Sequence, residues 1–278
     1  MVEKIMLFFS LVIPALQLSA QNQKSQPVIE IKSLEEVLKY ADKPRENVVI
    51  FSIDNVLLSS DYQISTRQWF YHRIDLYQKK GLNDRDAVDR AIAEWTAVLS
   101  LVPQTIVDPK APEVLEKLKK NQIRFLGLTS RGVGLSSRTI QHLKSFNIDL
   151  SSGATSQSDL PLMLGEKLLL YRNGVLFTSG SHKVMALKKL QEMATITQPK
   201  KIIMVSQSED SLTLMEESLR LHSKGTEFIP LRLSIMDKQI SEFDPNLADV
   251  QFEHFARFIS NEEAKKLLNS KTPQVGSP

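Results

Sequence analysis

The amino-acid sequence predicts an α/β fold: a parallel central sheet between helical layers, with a small all-helical insert. Three observations carry that expectation. Short apolar runs at Val48–Phe51, Ile123–Thr129 and Lys201–Val205 each read as a buried strand, and each leads into polar residues. Amphipathic helical patterns lie between these runs, which is the alternation a parallel sheet needs for its crossovers. Two further helical patterns follow the first run directly, before the next strand begins.

The chain has 278 residues, 42% of them hydrophobic and 24% charged, an ordinary globular composition. That length accommodates one α/β core plus an insert. The 35 basic and 32 acidic residues are interspersed and leave a net charge of +3, so no basic block points to nucleic acid. The chain has no Cys, which excludes disulfides, thiol catalysis and lipid attachment to a cysteine. Met1–Gln23 reads as a secretory leader. Lys4 supplies the positive start, and Ile5–Leu18 is apolar but shorter than the roughly 20 residues a membrane span needs. Leu18-Ser19-Ala20 offers cleavage before Gln21, giving a signal over residues 1–20. The other reading of this segment is an uncleaved anchor. The expected location is secreted or periplasmic, with no membrane span left after cleavage.

Taken in order, the mature chain opens with Ser33 as cap of a short helix bearing Leu34, Val37 and Leu38, closed by Pro44. The central stretch is Val48–Leu58. Alternation beyond the apolar run places Ser52, Asp54 and Val56 on one side. A parallel strand ending this way delivers polar groups to the carboxyl edge of the sheet, where open α/β folds bind ligands. The plainer reading is a core strand whose Asp54 starts a turn. Residues 59–104 form the insert. Ser65 or Thr66 caps its first helix, with Trp69, Phe70, Ile74 and Tyr77 on one face and Gly81 as the stop. Asn83 caps the second, with Val88, Ala91, Ile92, Trp95, Leu99 and Val102 at steps of three and four, and Pro103 ends it. Trp69-Phe70-Tyr71 either lines a pocket or forms the contact between the two helices; the expectation is the contact, with Trp69 and Trp95 packed between them.

The core resumes with Pro112 at a helix start and Leu115 and Leu118 facing inward. The next strand ends in Thr129-Ser130-Arg131-Gly132, where Thr and Ser also suit a turn or cap. Arg131 reads either as an anion contact or as a solvated side chain. Ser137–Phe146 is helical through Ile140 and Leu143. Asn173-Gly174, inside Leu168–Thr178, marks a hairpin. Lys183 opens a helix that continues through Ala186, Leu187 and Leu190. A cation is disfavoured at a helix start, which points to a special role. Lys201–Val205 ends in Ser206-Gln207-Ser208, with Glu209 and Asp210 as first-turn acids of the following helix. Phe228–Leu233 is a last strand. Phe252, Phe255, Phe258 and Ile259 suggest a helix, Glu262–Leu268 another, and residues 269–278 a disordered polar tail.

These strand ends resemble the motifs of the haloacid dehalogenase (HAD) superfamily. Its first motif is an apolar strand running into Asp-x-Asp-x-Thr; here Ser52, Asp54 and Val56 stand at those places. The resemblance implies a HAD-like Rossmannoid three-layer core over residues 27–58 and 105–268, with residues 59–104 as a small helical cap. It implies a phosphate or anion contact from Thr129 and Ser130, and from Lys183 at its helix start. It expects acids for Mg²⁺ after the Lys201–Val205 strand, where Ser206, Gln207 and Ser211 are found instead, with Asp210 a weak alternative. The match is nearest to a signal-bearing group of such proteins from bacteria living inside host cells, which share the Leu-Thr-Ser-Arg-Gly run and the late Asn-Gly hairpin. HAD phosphotransfer needs a carboxylate nucleophile and a cation held by oxygen ligands. Both are missing together. The expectation is therefore an exported binding or interaction protein with no cofactor, whose partner is another protein or a small anionic ligand. The alternative is a divergent phosphate-ester hydrolase using Mg²⁺, Asp54 and Asp210. Under the non-catalytic reading, the charge on Lys183, which Ser52 cannot balance, is expected to be balanced by Asp54, directly or through water, in the space Mg²⁺ would use.

Overall fold

The computed structural model describes residues 26–271 except 155, 157, 195–196, 224 and 256–258. The expected leader and Phe258 lie outside the described residues. In chain order the strands are β1 (Ile29–Ile31), β2 (Asn47–Ser52), β3 (Leu58–Ser59), β4 (Thr105–Ile106), β5 (Arg124–Thr129), β6 (Leu160–Leu164), β7 (Lys167–Arg172), β8 (Val175–Phe177), β9 (Lys201–Ser206) and β10 (Glu227–Leu233). The helices are α1 (Arg67–Lys79), α2 (Asp84–Leu101), α3 (Ala111–Lys120), α4 (Ser136–Ser145), α5 (Lys183–Met193), α6 (Glu209–His222), α7 (Asp237–Ser241), α8 (Pro245–Glu253) and α9 (Asn261–Lys271).

Eight strands form one sheet in the order β1-β10-β9-β2-β5-β8-β7-β6. The run from β1 to β8 is parallel, and β7 and β6 continue it antiparallel. All six residues of β2 are buried. Alternation along the strands divides the core into two faces. Val49, Phe51, Phe125, Ile203 and Val205 meet α3, α4 and the Ser33-capped turn at Leu34–Lys39. Val48, Ile50, Leu126, Ile202 and Met204 meet α5 and α6. The result is a Rossmann-like three-layer fold. From β2 the chain lays β5 and β8 on one side, then crosses back to place β9 on the other. The crevice between β2 and β9 is thus a topological switch point, the usual ligand position in an open α/β sheet.

Several local expectations hold for the reasons given. Thr66 Oγ1 caps α1 by accepting from Trp69 N at 3.2 Å, and Asn83 Oδ1 caps α2 by accepting from Asp86 N at 3.0 Å. Asn173 (φ 47°) and Gly174 (φ 75°) form the tight turn joining β7 to β8. A side chain on Gly174 would collide with the Leu150 carbonyl as well as strain the backbone.

Others are corrected. Alternation does not continue past Ser52. Leu58 N donates to Ile53 O at 2.9 Å and Asn55 takes φ 60°, so residues 53–58 form a tight loop. Val56, expected beside Ser52 and Asp54, is carried into the core instead. In α2 the buried face is Ala87, Ala91, Val98 and Leu99, while Ile92 is 46% exposed. Trp69 and Trp95 share one cluster at the contact between α1 and α2, as expected, but Trp69 also reaches beyond the insert. It meets Phe252 of α8, ring centroids 5.0 Å apart, in a cluster with Ile64, Val98, Val102 and Ala248. Gln251 of α8 fastens the same region by accepting from Gln63 N at 2.9 Å and Ile64 N at 3.3 Å. The carboxyl-terminal α8 therefore joins the insert above the carboxyl edge of the sheet. Helix α9 runs to Lys271, so the segment expected to be a tail from residue 269 begins as helix; residues 272–278 lie outside the described residues. Strand β6, with Pro161 on the sheet edge, was not anticipated.

Candidate functional site

β2, β5 and β9 are adjacent, so their carboxyl ends converge. They do so under α1 and α2, and a cavity of about 300 Å³ lies between. Its floor carries Ser52 at the end of β2 with Asp54 beyond it, Thr129 at the end of β5 with Ser130 and Arg131 beyond it, Lys183 at the start of α5, and Ser206 at the end of β9 with Gln207 and Ser211 beyond it. The roof carries Arg67, Phe70, Tyr71, Trp95 and Leu99. Four stretches far apart in sequence are thus brought together. Asp210 is the exception: it is exposed on the first turn of α6 and does not line the cavity.

Asp54 is the only carboxylate among the lining residues, and it is already engaged. Its Oδ1 accepts from Arg131 Nη2 at 2.7 Å and Nε at 3.0 Å, and its Oδ2 accepts from Thr129 Oγ1 at 3.0 Å. Arg131 is neither solvated nor free for an anion. Its side chain is 2% exposed, and it also donates to Thr139 Oγ1 at 2.9 Å and Gln104 Oε1 at 3.1 Å. The direct partner of Asp54 is therefore Arg131 and not Lys183, which Asp54 reaches only through its charge. The planar guanidinium reaches the carboxylate from the next strand and satisfies its remaining donors locally, which a lysine cannot do. Near this pair, burial first and then the charges of Arg138 and Arg131 push His142 down to about 4. It stays neutral at neutral pH and adds no further positive charge.

Lys183 has no hydrogen bond or ion pair among the described residues. Its side chain is partly buried in the cavity wall, and burial pulls it below the ordinary lysine range. The charge of Arg67 acts in the same direction, and Asp54 partly offsets both. No side chain caps the start of α5, so the helix dipole adds to the local positive potential. The Ser52 hydroxyl is buried and has no partner among the described residues, so no base stands ready to activate it.

The donor set does not suit Mg²⁺, which favours octahedral oxygen coordination with carboxylates. Both Asp54 oxygens face protein donors. Across the cavity, Ser206 Oγ accepts from Ser208 N at 3.2 Å, and Gln207 Nε2 donates to Asp237 Oδ1 at 3.3 Å. Among the described residues no cluster of three or more His, Asp or Glu is placed to hold a metal ion.

Arg67 is the charged lining residue that sequence reasoning missed, along with Gln104, Met236, Gln239 and Ile240. It opens α1 directly after its cap, so the same disfavoured position that singled out Lys183 was there to be read. The aromatic run divides its roles: Trp69 is structural, while Phe70 and Tyr71 line the cavity.

Fold and cavity together define a Rossmann-like α/β protein with a helix-capped, positively charged pocket at the carboxyl edge of its sheet. The chain belongs to the family described as protein of unknown function DUF2608, whose model matches residues 30–265. Two relatives from Chlamydia pneumoniae carry the name "Putative outer membrane protein". One is 25% identical over 251 residues, covering 87% of this chain and 90% of its own. The other is 24% identical over 241 residues, covering 86% and 89%. A Chlamydia muridarum protein of the same name is 21% identical over 251 residues, covering 90% and 93%. No solved structure matches. Among the described residues no helix is long and apolar enough to cross a membrane.

Proposed function

We propose that this chain is an exported, non-catalytic protein of HAD-like fold that binds a small anion at the carboxyl edge of its sheet. One observation carries the reading. The positions that the resemblance singles out, Ser52 with Asp54, Thr129 with Ser130, Lys183, and Ser206 with Gln207, line a single cavity. Within it Lys183 lacks a direct ion pair among the described residues, and several hydroxyl groups line the same cavity. A partly buried cation without a direct partner is disfavoured, and a bound anion supplies what is missing. The absence of catalysis is supported by the unactivated Ser52 hydroxyl, the commitment of Asp54 to Arg131, and a donor set unsuited to Mg²⁺. The hydrolase alternative drew on Asp210, which lies outside the cavity. Export is supported by the leader-like character of Met1–Gln23 and by the name of the chlamydial relatives.

The test is turnover of a broad phosphate-ester panel by the purified chain, with and without Mg²⁺. No steady-state rate above background is expected. Ser52→Asp alone is expected to leave it there, because the metal ligands are missing as well. A rate that rises with Mg²⁺ in the unmodified protein would overturn the non-catalytic reading.

A further inference from the structure

The cavity holds more positive charge than its one engaged carboxylate can balance. Lys183 contributes from the core side without a partner. Arg67 contributes from the cap side. Its Nε and Nη2 donate to Tyr71 Oη at 3.1 and 2.8 Å, and its Nη1 donates to Ser208 Oγ at 3.3 Å. These neutral partners hold the exposed guanidinium beside the cavity without cancelling its charge. Two helices, α1 and α5, thus each begin with a cation, and both cations border one cavity. Each position is unfavourable for a positive charge on its own, and the two repel each other. An anion between them relieves both costs.

The roof adds a second, independent feature. The rings of Phe70 and Trp95 lie 5.1 Å apart at 35°, and Trp95 is held in place by Nε1 donating to Ser65 O at 3.3 Å. Both are only partly buried and both border the cavity. Aromatic faces left open beside a polar floor favour a flat apolar group. The volume of about 300 Å³ sits at the small end of the range for small-molecule sites, so it fits one compact ring and a charged head.

We propose that the cavity binds a small ring-bearing organic oxyanion, with its charged head between Lys183 and Arg67 and its ring against Phe70 and Trp95. This inference rests on the anion-binding reading and adds to it the cap-borne charge and the ring.

The experiment titrates the full chain with inorganic phosphate, n-butyl phosphate and phenyl phosphate, followed by calorimetry and tryptophan fluorescence. Phenyl phosphate is expected to bind at least tenfold more tightly than n-butyl phosphate and to change the tryptophan emission through Trp95. Phe70→Leu is expected to weaken phenyl phosphate more than n-butyl phosphate and so to remove that preference. Arg67→Gln is expected to weaken all three by tenfold or more. Equal affinity for the two esters overturns the ring site, and that comparison needs no variant to fold. An Arg67→Gln protein with unchanged affinities overturns the second charge. Lys183-dependent binding of inorganic phosphate without a ring preference sinks this inference alone, whereas no binding of any of the three sinks the anion-binding reading with it.

Discussion

Trp69→Ala is expected to destabilise the protein by about 3–5 kcal/mol, the usual cost of removing a fully buried large aromatic side chain. Trp69 is 0% exposed. Its ring lies against Phe252 and beneath Arg73, whose guanidinium carbon is 5.7 Å from the Trp69 ring centre. The indole N–H has no partner among the described residues, so the stabilisation comes from packing rather than from a hydrogen bond. Ile64, Val98, Val102 and Ala248 surround the ring, so the cavity left behind opens toward α1, α2 and α8 together. Trp95→Ala is expected to cost clearly less, because that ring is partly exposed in the pocket. Denaturant unfolding of the two variants checks the order. A cost below about 1 kcal/mol for Trp69→Ala would mean that α8 is not the support of the insert.

Asp54→Ala is expected to cost about 3–5 kcal/mol as well, and more than Arg131→Met. The reason is an asymmetry of exposure. The Arg131 side chain is 2% exposed and that of Asp54 is 38% exposed. Removing the carboxylate strands a guanidinium that cannot reach water, which is the expensive way to break a buried pair. Removing the guanidinium leaves a carboxylate that water and Lys183 can still reach, and about 1–3 kcal/mol is the expected loss for its hydrogen bonds. The double variant is expected to cost less than the sum of the two single ones, since the groups are in direct contact. Equal melting of Asp54→Ala and the unmodified chain would place Asp54 outside any structural role and return it to the chemistry of the pocket.

Much of this arrangement was legible in the chain, for identifiable reasons. Buried parallel strands read as continuous apolar runs, so β2, β5 and β9 stood out together with their polar ends. Turn chemistry at Asn173-Gly174 and the disfavoured position of Lys183 are local signals that survive folding. Pairing across the site was not legible. Arg131 meets Asp54 because β5 lies beside β2 and the loop after it bends over the strand end, and neither fact is encoded near either residue. The docking of Trp69 on Phe252 is hidden in the same way, because the helical period shows that Trp69 is buried without showing against what. Edge strand β6 carries Pro161 and little alternation, and so reads as loop. The start of α8 had a usable signal in Asp244-Pro245, an Asx cap followed by proline, with Asp244 Oδ1 accepting from Asn246 N at 2.9 Å.

The central claim is that this pocket is an anion site centred on Lys183 and not a metal site. Thermal melts of the full chain with millimolar Mg²⁺ and, separately, with inorganic phosphate test it most directly. A ligand at a hundred times its dissociation constant stabilises by about 2.7 kcal/mol, which in a chain of this size is a shift of several degrees. Phosphate is expected to raise the melting temperature of the unmodified protein and to lose that effect in Lys183→Met, while Mg²⁺ leaves both unchanged. A shift of several degrees with Mg²⁺, and none with phosphate, would contradict the account.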